Sequence, residues 1–445
     1  MLSSWLRLLS SRVRTLARSG SVSRLSRRQR AGAGAAVVAA ALAVALVVVF
    51  VSTAADGRGS STRPDASGGP PGAARGAVDR PGDAAGGAEA APADPDPAAT
   101  PSVSPLPRLT VAQMAGQRVI YSYGGLTPPA SLLQLITHGE AAGVIFFSQN
   151  IASLPQISSV IAELVRANAS PLNPVHAPLL LMTDQEGGLV RRMPGGPALS
   201  EAQVGESAAP AAAAAEAGSN AAANLRGVGM NVNLAPVLDV YRAPGDFDDQ
   251  DQRSYSMDPD LVAELGAAFI NAQQNGGVAA TAKHFPGLGA AAADQDTDDV
   301  PVTLNLPLDT IRSVDELPYG AAIAAGVKLI MVSWAVYPAL DPSRPAGLSP
   351  VVVQGELRGR LGFKGVTITD ALEAGALSAY GSYQNRALLA AEAGMDLILC
   401  SVQDVTEGEQ AAAGLQAGYQ DGTLARRAFT AALQRVIALR TSLAG

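Results

Sequence analysis

Cysteine is nearly missing from this chain of 445 residues. Cys400 is the only one, which excludes an intrachain disulfide and any metal site built on two thiolates. A small buried apolar side chain is the plain reading for it. Histidine is also scarce, at His138, His176 and His284, too few for a histidine-rich metal centre. Only 16% of residues are charged and 48% are hydrophobic, enough apolar material for a sizeable core. Basic residues thin out after the first thirty positions, which hold eight Arg and no acid; with a net charge of −7, the remainder stands near −15. An acidic body excludes nucleic acid as an expected partner. No G-x-G-x-x-G follows a strand-like run, which argues against a dinucleotide site. No metal and no cofactor is expected.

The Arg-rich start, Arg7 to Arg30, precedes Ala31 to Val51, about 21 residues without a charge. Such a run is long enough to cross a bilayer as a helix. Positive charge before it keeps the start in the cytoplasm and sends the rest across. A transmembrane anchor over 31–54 is therefore expected, with an extracytoplasmic body. A cleavable signal peptide is the competing reading, because Ser52-Thr53-Ala54 suits a peptidase. Residues 55–107 are dominated by Gly, Ala, Pro, Asp and Ser and read as a disordered linker.

From 108 onward short apolar runs alternate with helical patterns. The runs are Arg118–Ser122, Gly143–Phe147, Leu179–Thr183, Met230–Leu234, Ala279–Ala282, Lys328–Ser333, Gly365–Thr369 and Met395–Leu399. Helix-length stretches separate them, among them Leu154–Ala167, Ala208–Arg226, Asp258–Gln274 and Leu308–Ala325. Eightfold alternation predicts an α/β fold closed as a (β/α)₈ barrel rather than an open sheet. Catalytic groups of such a barrel gather where strands end. Polar residues do follow the runs: Asp184 to Gly188 after the third, Lys283 to Gly287 after the fifth, Asp370 after the seventh. A strand-end Asp often only caps a helix, but three polar clusters at one end of one barrel point to a site. A rigidly held carboxylate such as Asp370 can attack an electrophilic carbon. Lys283, His284, Arg192 and Arg253 offer donors, and Asp184 accepts from two hydroxyls. That mixture suits a carbohydrate.

These motifs resemble glycoside hydrolase family 3, in particular its single-domain β-N-acetylglucosaminidases. The resemblance runs from about Thr110 to the C-terminus. It rests on Asp184-Gln185-Glu186-Gly187-Gly188 with Arg192, on Arg253-Ser254, on Lys283-His284-Phe285-Pro286-Gly287, and on Gly362-Phe363-Lys364-Gly365-Val366 leading to Asp370. Asn233 to Asp239 and Val336 to Asp341 fall in order between them. The resemblance implies that Asp370 is a nucleophile forming a glycosyl-enzyme, and that Asp184, Arg192, Arg253, Lys283 and His284 bind the sugar.

One loop departs from that pattern. The family branch has an Asp-Ser-His element after the Lys-His-Phe-Pro-Gly run, whose His is the acid/base. Here Gly289 to Asp299 contains no His, and Asp296 is placed where it would fall. Asp296 and then Asp294 are the candidate proton donors, their acidity weakened by four Asp within six positions. A solvated loop capping a turn is the competing reading. A Ca²⁺ loop is disfavoured, since the turn Gly and closing Glu are missing. Ala371 stands where the branch often has a second acid.

The expected function is removal of terminal β-linked N-acetylglucosamine from peptidoglycan fragments, with muropeptides or related glycosides as substrates. A β-glucosidase of the same fold and an inactive cell-wall sugar-binding protein are the alternatives. A monomer is expected, bound to the membrane through its N-terminal helix or secreted if that segment is cleaved.

Overall fold

The computed structural model describes residues 107–444. The basic start, the apolar run of 31–54 and the linker to residue 106 lie outside them. Eight parallel strands close a barrel: β1 Val119–Tyr121, β2 Gly143–Ile145, β3 Leu180–Thr183, β4 Val232–Asn233, β5 Ala279–Phe285, β6 Leu329–Val332, β7 Val366–Ala371 and β8 Leu397–Leu399. Each pairs with its sequence neighbours, and β1 pairs with β8 through Val119 opposite Ile398. This is the expected (β/α)₈ architecture. Among the described residues no helix is long and apolar enough to cross a membrane.

Strands buried on both faces need continuous apolar runs, and all eight are read at their predicted places. Two ends differ. Strand β5 continues through Lys283, His284 and Phe285, and β7 through Asp370 and Ala371, so these polar residues belong to the strands rather than to the loops after them.

Two apolar layers fill the barrel. Ile120, Ile145, Leu180, Met182, Val232, Leu329, Met331, Ile368 and Leu397 share a cluster inside it, joined from below by Val436 and Leu439. Those two come from the last helix, Arg426–Ser442, which seals the end opposite the site. Arg440, fully buried, donates there to the carbonyls of Ala177 and Pro178.

The outer helices follow from spacing and caps. Ser153 caps Leu154–Asn168 by accepting the Gln156 N–H, and Ile157, Val160, Ile161 and Leu164 give it one buried stripe. Alanine content has a packing cause: helices Pro210–Val228 and Pro259–Asn275 approach so closely that a Cβ on Gly218 would sit 2.4 Å from the Phe269 carbonyl. The predicted helix Leu308–Ala325 is instead broken into Leu308–Thr310, a wide turn over Ile311–Asp315, and Leu317–Ala324, which carries Pro318 in its first turn.

Candidate active site

The C-terminal strand ends bring the predicted residues together. β5 presents Lys283 and His284, and a hairpin of Gln185–Gly187 with Val190–Arg191 after β3 presents Asp184, Glu186 and Arg192. The long loop after β4 supplies Asp239, Asp248 and Arg253. β7 ends on Asp370.

Lys283 is the hub of the first cluster. Its Nζ lies 2.9 Å from Asp184 and 2.8 Å from Glu186, and the whole side chain is buried. Arg253 grips Glu186 through two bonds of 3.0 Å and reaches Asp248 at 3.3 Å. Arg192 stands 3.6 Å from Asp184. Burial alone would favour neutral carboxyls, yet Arg253 and Lys283 hold Glu186 well below the usual carboxylate range. Lys283 and Arg192 do the same for Asp184. Burial lowers Lys283, but these two acids outweigh it and keep the ammonium charged. The result is a floor of fixed donors and acceptors suited to hydroxyl groups.

His284 lies beside this floor. Its Nδ1 contacts Asp239 at 2.7 Å, and burial pushes its imidazolium down to about 4, so the ring is neutral near pH 7. The negative charge of Asp370 acts on it in the opposite sense, which places His284 within electrostatic reach of the β7 acid. His138 and His176 are exposed and away from the site.

Strand β7 is anchored at its tip. Trp334 Nε1 donates to the Ala371 carbonyl at 2.8 Å, and Arg386 donates to Leu372 at 2.9 Å. Asp370 accepts the Ala371 N–H at 2.8 Å and is half-buried. The acidic loop after β5 docks on the segment that follows: Gly375 and Ala376 donate their N–H groups to the carbonyls of Asp298 and Thr297. A Cβ at Gly375 would stand 2.1 Å from the Asp299 carbonyl, so this contact needs glycine.

Docking separates the loop acids. Asp294 is exposed, and Asp296 uses its carboxylate to accept the Asp298 N–H at 2.9 Å, the turn-capping role. Asp298 is exposed as a residue, as Asp294 is, but its carboxyl lies within electrostatic reach of Asp370. Desolvation of that carboxyl comes first and repulsion from Asp370, Asp296 and Glu373 second, together pushing it up to about 8. Asp298 therefore joins Asp296 and Asp294 as a candidate proton donor on this loop.

Glu373 completes this rim. Ser401 Oγ donates to it at 2.9 Å, and buried Glu407 beside it is pushed up to about 9 by burial and then by Glu373. Cys400 is buried as expected. Sequence reasoning quoted Glu186, Asp239 and Asp298 without a role of their own and passed over Asp248 and Glu373. Only Glu186 had a signal, its period of two from Asp184.

One described cluster has the spread for a cation: ligand atoms of Asp239, Asp248 and His284 lie within 4.8 Å of one another. The Asp239 oxygens are already engaged by the His284 and Leu288 backbone and by Nδ1, and cationic Arg253 faces Asp248, so the site carries a positive charge of its own.

A closed barrel whose strand ends carry paired carboxylates, a lysine and fork-shaped guanidinium donors has the make-up of a glycosyl hydrolase. The chain belongs to glycosyl hydrolase family 3: the model of the family's N terminal domain matches residues 109–439. It is 48% identical over 341 residues to an uncharacterized secreted glycosyl hydrolase of Arthroderma benhamiae, covering 76% of this chain and 96% of that one. A beta-hexosaminidase of Xanthomonas oryzae is 35% identical over 63% of this chain and 82% of its own. Among solved structures, a family 3 β-N-acetylglucosaminidase of Paenibacillus superposes with a TM-score of 0.71 at 35% identity, covering 76% of this chain and 63% of that one. The β-N-acetylhexosaminidase of Beutenbergia cavernae gives 0.68 at 30%, over 75% and 99%.

Proposed function

We propose that the protein is an exported, retaining β-N-acetylhexosaminidase, with Asp370 as nucleophile and Asp298 as acid/base. The observation that carries this reading is the docking of the acidic loop on the segment after β7, with the proton-holding carboxyl of Asp298 within electrostatic reach of Asp370. Asp370 attacks the anomeric carbon while Asp298 gives its proton to the departing glycosidic oxygen. The glycosyl-aspartate forms as the C–O bond breaks. Asp298, now ionised, takes a proton from water, whose oxygen displaces Asp370 and restores both carboxyls.

Asp184, Arg192, Lys283, His284 and Arg253 bind the terminal sugar or hold the groups that do. Asp184 and Lys283 face each other at 2.9 Å and offer an acceptor and a donor, a pairing matched to a vicinal diol. N-acetylglucosamine as that sugar is supported by the names of the relatives, and peptidoglycan fragments follow as the polymer source outside the membrane. Export is supported by the Arg-rich start and apolar run, and by the word secreted in the name of the Arthroderma protein.

The test is hydrolysis of p-nitrophenyl β-N-acetylglucosaminide beside the matching glucoside and muropeptides, with a 2-fluoro glycoside as covalent probe. Label on the peptide containing Asp370 supports the reading. Absence of turnover and of label on every sugar would leave a sugar-binding protein. Faster glucoside cleavage would reassign the sugar while keeping the mechanism.

A further inference from the structure

Behind His284 lies a carboxyl pair that neither the nucleophile nor the proton donor uses. Asp239 is fully buried, and its two oxygens accept the His284 N–H at 3.2 Å each, His284 Nδ1 at 2.7 Å and the Leu288 N–H at 2.5 Å. So many donors converging on one carboxyl need it ionised. Asp248 is fully buried as well. Its Oδ1 accepts from Arg253 at 3.3 Å, whereas Oδ2 meets no donor among the described residues.

Carboxylate oxygens of Asp248 and Asp239 lie within 4.8 Å of each other, both side chains fully buried. Two buried carboxyls so close repel when both are ionised, which favours one proton held between them. Charge counting agrees. The cluster holds five carboxyls, Asp184, Glu186, Glu201, Asp239 and Asp248, against three cations, Arg192, Lys283 and Arg253, with His284 neutral. Two protons restore balance. Glu201 is raised well above the usual range by burial, then by Glu186, and Asp248 up to about 7 by burial, then by Asp239. Arg253, His284 and Glu186 also face Asp248, and the phenols of Tyr319 and Tyr337 act on it from the far side.

We propose that Asp248 is a positioning residue acting as a neutral acid: it donates to Asp239, which fixes His284 as its Nδ1–H tautomer and turns Nε2 toward the sugar as a hydrogen-bond acceptor. Nε2 of His284 then accepts a hydrogen bond from a sugar hydroxyl and donates none, in keeping with an acid/base located on another loop. The sugar contact rests on the proposed function; the tautomer does not.

The experiment is long-range ¹⁵N–¹H correlation on the full-length protein labelled at histidine, whose three imidazoles are few enough to resolve. His284→Gln assigns the signal. A neutral Nδ1–H pattern at pH 7, retained in Asp248→Asn and replaced by mixed tautomers in Asp248→Leu, is expected. An Nε2–H pattern in the wild type, or a wild-type pattern in Asp248→Leu, would overturn the proposal. If the Leu variant fails to fold, the wild-type Nδ1 shift decides: it should move as pH crosses about 7 and stay still in Asp248→Asn. Movement in both proteins, or loss of the Nδ1 proton on adding Zn²⁺, overturns it in favour of another proton carrier or a cation. Because all of this is read without substrate, a failed hydrolysis assay leaves the result standing.

Discussion

Asp296 accepts the backbone N–H of Asp298 at 2.9 Å, so one acid of the loop holds the other in place. The two should therefore fail differently. Asp298→Asn is expected to lower kcat/KM for substrates with poor leaving groups about 10²- to 10⁴-fold, the usual contribution of a general acid. Asp296→Asn still offers an oxygen to the turn and should stay within about tenfold, since one turn bond is worth about 1 kcal/mol. Equal losses in the two variants would remove Asp298 from the proposed role.

Among the described residues Asp370 accepts a hydrogen bond from its own neighbour alone, Ala371 N–H at 2.8 Å, and it is half-buried. Asp370→Asn should cost turnover on the order of 10⁴-fold, about 5.4 kcal/mol of barrier at 1.36 kcal/mol per decade. Its melting temperature should stay within a few degrees of wild type. Calorimetry beside the rate assay separates the two effects, and a large drop in melting temperature would recast Asp370 as structural.

Asp298 is pushed up to about 8, so it holds its proton below that pH and loses it above. Activity should fall as pH rises through about 8 and be unaffected by this group lower down. Glu373 is one of the carboxylates that raises it. Glu373→Gln removes that repulsion, and the alkaline limb of the kcat/KM profile should move to lower pH. A limb that stays put would mean that Glu373 acts elsewhere.

Gly218 leaves no room for a side chain, with the Phe269 carbonyl 2.4 Å from where a Cβ would stand. Gly218→Val should overpack the two outer helices and cost about 1–3 kcal/mol. Thermal unfolding is the measurement. Activity at 25 °C should change little, because both helices run outside the barrel, away from the strand ends.

Much of the scaffold was legible because strands buried on two faces leave unbroken apolar runs such as Leu329 to Val332. The end of β5 was not, since Lys283 and His284 look like loop residues until their partners are known. Those partners come from far along the chain: Asp239 meets His284 across 45 positions and Asp184 meets Lys283 across 99. Asp370, Asp184 and Lys283 stood out through family motifs. Asp248 did not, because its role exists only through Arg253 and Asp239. The loop acids show the limit of spacing: counting singled out Asp296, while its capping of the Asp298 N–H is visible only in the folded turn.

The seam of the barrel joins Arg118, beside β1, to Asp396, beside β8, across 278 positions. Until that span is available the first strand has no final neighbour on one edge, and the plug helix has nothing to seal. Contacts this remote in sequence slow folding and penalise premature collapse. On the export route proposed above, delay of that kind is useful: the pieces that cross a membrane first would have no finished barrel to jam the channel, and closure would wait for β8.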